Sequence, residues 1–110
     1  MDARDEALRV MGWELALEHV QTALRYGGFV VWLPEVVAIL VPWMDGHADC
    51  RCDVLAVLYA GGDVRRLAEL ADDWLRAGYS KVLLCRGFRG DDRCRVWDMA
   101  RFARLVKAMN

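Results

Sequence analysis

The 110-residue sequence predicts an α/β (α+β) domain whose small mixed sheet carries helices on its faces, in the order α-β-β-β-α-β-α. Three features point to this. A helical run over residues 5–26 stops at Gly27-Gly28. Two β-branched runs flank Pro34-Glu35 and make a hairpin. Two further apolar runs, about 51–59 and 81–85, are separated by a helical pattern, which implies a parallel strand pair joined by a crossover helix.

The first helix is expected over 5–26 because Leu8, Met11, Leu15, Val20, Ala23 and Leu24 recur at roughly helical spacing, with Asp5 and Glu6 favourable in the first turn. The run Phe29–Leu33 is β-branched and aromatic, as a strand prefers, and Val36–Val41 returns as its partner until Pro42. So apolar a hairpin must be covered on both faces, or on one face by another molecule. Residues 43–50 are turn-rich, and a third strand follows from about Arg51 to Tyr59. Asp63 is a natural N-cap for a helix with Val64, Leu67, Ala68, Ala71, Trp74 and Leu75 on one face, ending at Gly78. Lys81–Cys85 is the fourth strand. A last helix, about 93–108, would place Trp97, Phe102, Leu105, Val106 and Met109 mostly on one side.

The length allows one domain, residues 1–110, large enough to bury a core without metal or disulfide staples. No apolar run reaches the ~18 residues needed to span a bilayer. The acidic start Met1-Asp2-Ala3-Arg4-Asp5-Glu6 lacks the order of a signal peptide. A membrane partner is therefore not expected, and the cytoplasm is the expected compartment. The net charge of −1 hides an asymmetry: residues 81–110 carry eight basic and three acidic groups, whereas residues 1–80 carry seven and thirteen. A basic terminal segment can bind a phosphate-bearing polymer or an acidic protein surface.

The stretch DVLAVLYAGGDVRRLAELADDWLRAGYSKVLLCRG resembles the central strand, helix and strand of the GNAT N-acetyltransferase superfamily, and in particular is similar to short GNAT-like proteins encoded by tailed bacteriophages. Those share the glycine pair and aspartate after the strand, a helix ending in glycine, and a strand closing on an Arg-Gly pair, here Arg86-Gly87. LRYGGFVVWLPEVVAILVPW also looks like their helix-to-hairpin lead-in, so the resemblance covers most of residues 15–90. It implies a GNAT-like core, with acetyl-CoA as the cofactor of any activity. In working members the loop after the central strand presents backbone N–H groups to the cofactor's pyrophosphate; the matching positions here are Gly61, Gly62, Asp63 and Val64.

The chain departs from that pattern in three ways. The loop is shortened to Gly61-Gly62-Asp63, with no Arg or Gln before the glycines and a carboxylate where phosphates would sit. Residues 93–110 contain no Tyr, Ser or His to protonate a leaving thiolate. The chain also ends where such enzymes add a final hairpin beside the acceptor site. The glycines and Asp63 are thus expected to make a tight turn and cap a helix, and no catalytic residue is assigned.

His47, Cys50 and Cys52, with Cys85 or Cys94, lack the usual spacing of a zinc knuckle, because one residue rather than two to four separates the paired cysteines. Free thiols are expected in a cytosolic chain, and no metal. No orienting group completes a Cys–His pair with His19 or His47. Arg86, Arg89, Arg93, Arg95, Arg101 and Arg104 form a basic series interleaved with Phe88, Trp97 and Phe102. An acidic protein surface is its expected partner, with nucleic acid the lesser alternative. Five tryptophans (Trp13, Trp32, Trp43, Trp74 and Trp97) are more than so small a core hides easily, so some, Trp43 among them, are expected at a contact with a partner or a second subunit.

The expectation is therefore a catalytically silent GNAT-like protein of phage type, acting through protein contacts as a virion component or accessory factor, in the host cytosol or the virion, and without a cofactor. The alternatives are a minimal acyl-CoA-dependent N-acyltransferase and an inhibitor of a host defence complex.

Overall fold

The computed structural model describes residues 2–43, 53–85 and 94–108. The chain begins with two helices, α1 (Ala3–Met11) and α2 (Trp13–Arg25). Asp2 starts the first: its carboxylate accepts from the backbone N–H groups of Arg4 (2.9 Å) and Asp5 (3.1 Å), while the Asp5 side chain reaches back to the Asp2 N–H. This reciprocal capping satisfies donors that a helix start leaves open. The hydrogen bond from the Arg4 guanidinium holds the Asp2 carboxyl below its ordinary range.

The expected single helix over 5–26 is corrected here. Gly12, at φ 80° and ψ 161°, breaks it in two. Its N–H still bonds to the Leu8 carbonyl and its carbonyl accepts from Ala16, so one glycine ends α1 and starts α2. A side chain at this positive φ would be strained.

The strands are β1 (Phe29–Trp32), β2 (Val36–Pro42), β3 (Val54–Gly62), β4 (Lys81–Cys85) and β5 (Cys94–Asp98), and they lie in that order across one sheet. Helix α3 (Val64–Arg76) joins β3 to β4, which pair in parallel; the other neighbouring pairs among the described residues are antiparallel. Helix α4 (Met99–Ala108) follows β5, its first N–H donating to the Ser80 carbonyl at 2.7 Å.

Among the described residues the order is thus α-α-β-β-β-α-β-β-α rather than α-β-β-β-α-β-α, a mixed α+β fold with four helices and five strands. The second change lies at residues 94–98, expected in the last helix. They form a strand because Val82, Leu83 and Leu84 offer an edge to which Trp97, Val96 and Arg95 pair directly, and Val and Trp favour a pleated, half-buried surface.

The sheet separates two apolar layers. On one side α1 and α2 set Ala7, Met11, Ala16 and Ala23 against Val37 and Ile39. On the other, α3 and α4 set Ala71, Trp74, Met99 and Ala103 against Ala38, Leu40, Leu55 and Val82. Strand β2 is therefore covered on both faces, and Val36 to Leu40 are all buried. Each fully buried Ile39, Leu40 or Leu55 contributes about 1.5–3 kcal/mol by transfer from water. Between Ile39 and Leu40 the register with β3 slips by one residue, leaving Leu58 as the extra residue of a bulge. Among the described residues no helix is long and apolar enough to cross a membrane.

Candidate functional site

The glycine–aspartate junction sits where β3 meets α3. Gly61 and Gly62 are not a loop but the last residues of β3, opposite Val37 and Val36 of β2. This corrects the expected strand end near Tyr59. The Asp63 N–H donates to the Glu35 carbonyl at 2.8 Å, and the Asp63 carboxylate accepts from the Arg65 N–H at 2.9 Å, capping α3 as expected.

Gly62 has φ +108°, and a Cβ there would stand 2.5 Å from the Glu35 oxygen and 2.8 Å from the Val36 Cα. Close approach of the β1–β2 turn thus accounts for the glycine. Arg66, which follows the junction, bonds Glu69 at 2.9 Å and lies 3.7 Å from Glu35. Gly61, Gly62, Asp63 and half-buried Val64 are brought together, but as a paired strand end and a capped helix start.

Beyond Ala56, which pairs with Leu83, β3 has a strand neighbour only on its β2 side among the described residues. This leaves a short length of strand edge between β3 and β4.

The basic series gathers in part. Arg86, Arg89 and Arg93 lie outside the described residues. Arg95 is on β5, the edge strand, and Arg101 and Arg104 are on α4. Arg95 and Arg101, with Lys81, Val96, Trp97 and Asp98, line an open cleft of about 350 Å³ where β5 runs into α4. The Arg101 guanidinium lies 5.1 Å from the Trp97 ring centroid, a stacking worth about 0.5–1 kcal/mol at an exposed site. Three cations thus face one carboxylate, and none of the three makes a salt bridge among the described residues. Trp97 approaches the core from a strand, not from the expected helix, and is half-buried beside Val82 and Met99.

Trp43, expected at a contact, directly follows β2 and is half-buried, with its N–H donating to the Val54 carbonyl. Of the five tryptophans only Trp13 is largely exposed (74%), whereas Trp74 is buried. Trp13 belongs to an apolar face that the sequence reading missed, with Leu17 at 55% and Leu24 at 69% exposed. The available signal is a second apolar stripe on α2, beside the Ala16–Ala23 row that meets the sheet.

His19 lies half-buried on α2, and burial lowers its pKa by disfavouring the charged form. Among the described residues no group of three His, Cys, Asp or Glu side chains could hold a metal ion. His47, Cys50 and Cys52 fall outside them, and Cys85 and Cys94 stand opposite each other in the β4–β5 backbone register.

Comparison of this chain with protein-family models, curated proteins and solved structures finds no match.

Proposed function

We propose that this chain is a catalytically silent, GNAT-like domain of the tailed-phage type, acting through protein–protein contacts as a virion component or accessory factor. The observation that carries the reading is the state of the Gly61–Asp63 junction. Its glycines are used in pairing with β2, its aspartate N–H is bonded to Glu35, and its carboxylate occupies the start of α3. A pyrophosphate needs free N–H groups and a positive helix start there. The unit from β3 through α3 to β4 supports the GNAT-like core, and the resemblance of residues 15–90 supports the phage attribution.

The contact surface is the cleft of Lys81, Arg95, Trp97 and Arg101, extended along α4 by Arg104. It fits an acidic protein surface better than a nucleic acid, because the whole chain is net −1 with a pI near 6.1. A nucleic-acid-binding domain is typically strongly basic throughout. A second reading, a minimal acyl-CoA-dependent N-acyltransferase, is favoured by one feature. The edge of β3 past Ala56 offers backbone groups to an extended, amide-bearing arm such as that of acyl-CoA.

Affinity capture from producing cells, with and without nuclease, tests the binding reading. The wild-type chain is expected to retain a protein partner after nuclease treatment, and Arg95→Glu with Arg101→Glu to lose it. A partner released by nuclease, or one indifferent to the double substitution, would overturn this assignment of the surface.

A further inference from the structure

We infer that two copies of this chain pair through α2, antiparallel about a two-fold axis. The inference rests on the reading of the chain as a binding module and names one of its partners, a second copy. Trp13, Leu17, Val20 and Leu24 follow one another at spacings of four, three and four, the interval of a coiled-coil seam. They run along about 16 Å of helix. Val20 is half-buried against the sheet layer, while the other three are mostly exposed.

On one flank of this stripe Ala16 and Ala23 are buried on the sheet. Their small side chains bring α2 close to β1 and β2, so the larger stripe stands at the side of the helix instead of under it. On the other flank runs a polar row, Glu14, Glu18, Gln21 and Arg25, with its acids toward the N-terminal half and its base at the C-terminal end. Glu14, Glu18 and Arg25 make no salt bridge among the described residues.

The polarity of that row selects the occupant. An antiparallel second copy, with its axis passing between Leu17 and Val20, sets Trp13 against Leu24 of the other copy and Leu17 against Val20. It also carries Arg25 to within reach of Glu14 on the other copy. A parallel copy would stack Trp13 on Trp13 and set the polar row beside the Ala16–Ala23 flank of the other copy, where no opposite charge meets it. The antiparallel two-fold leaves only Glu18 beside its own counterpart. The arrangement is isologous, so both copies bury the same patch. The exposed parts of Trp13, Leu17 and Leu24 offer on the order of 400 Å² of apolar surface per copy, and the polar row widens the patch toward the ~800 Å² per partner of a standard interface.

Sedimentation velocity on the full chain tests the inference. A dimer is expected at tens of micromolar, and Leu17→Glu is expected to yield a monomer whose thermal transition matches wild type, since the position is exposed. Arg25→Glu is expected to weaken the dimer about tenfold. Adding Glu14→Arg and Glu18→Arg to that variant is expected to restore it. A wild-type monomer at hundreds of micromolar, a dimer indifferent to Leu17→Glu, or a triple variant weaker than Arg25→Glu alone would each overturn the pairing. The two readings fail separately. A monomer that still captures a nuclease-resistant partner sinks only the self-pairing, and a dimer that binds acetyl-CoA sinks only the silent-module reading.

Discussion

Trp74→Ala is expected to cost about 3–5 kcal/mol, enough to lower the melting temperature by ~15–30 °C in a domain of this size. Trp74 is 4% exposed and projects from α3 into the layer formed by Ala38, Leu40, Leu55, Val82 and Met99. Its ring lies 6.2 Å from that of Phe29 on β1, which in turn meets Tyr79 edge-on at 5.7 Å. The Tyr79 N–H donates to the Trp74 carbonyl at 3.1 Å. Through Phe29 the Trp74 side chain therefore ties the crossover helix to the far edge of the sheet, while the backbone hydrogen bond joins that helix to the turn before β4. Truncation leaves a cavity that this aromatic chain cannot fill without moving β1. Urea denaturation gives the value, and a loss below about 1 kcal/mol would mean that the α3–sheet layer is not the core described.

Gly62→Ala is expected to cost about 2–4 kcal/mol in the ligand-free protein, combining the strain of a positive φ with an overpacked contact. The added methyl would collide with the Glu35 carbonyl and the Val36 Cα, both backbone atoms, and touch the Ala3 Cβ at 3.0 Å. Relief requires parting the β1–β2 turn from the end of β3. That turn also accepts the Ala3 N–H at Pro34 and the Asp63 N–H at Glu35, so the start of α1 and the cap of α3 loosen with it. A glycine kept only to admit a ligand would tolerate the methyl and lose binding alone. An unchanged denaturation midpoint would therefore contradict the structural account of this residue.

Much of the fold was legible in local chemistry. The β1–β2 hairpin follows from β-branched runs on either side of Pro34-Glu35, and α3 from Asp63 and the apolar face through Ala68, Ala71 and Trp74. The helix break at Gly12 was not legible, because one glycine inside a helical pattern costs only ~1 kcal/mol and is often absorbed. Strand β5 was hidden for another reason. Its five residues run straight into α4 without a turn, and what makes them a strand is the edge of β4, a contact that no local window contains.

The candidate surfaces divide the same way. The capping role of Asp63 could be read from its place before a helical run, and the clustering of arginines from composition. The α2 stripe could not, because two apolar rows share one helix and only the tertiary structure decides which of them meets the sheet. The smaller row does, since Ala16 and Ala23 permit the closer approach, and the larger one, with Trp13 and Leu24, is left outside.

Calorimetric titration of the purified chain with acetyl-CoA, read together with backbone amide shifts, bears most directly on whether the β3–α3 junction is closed to a cofactor. No measurable binding is expected up to about 1 mM ligand. A micromolar dissociation constant, roughly −8 kcal/mol, with the Gly62 and Asp63 amides shifting on binding, would contradict the account.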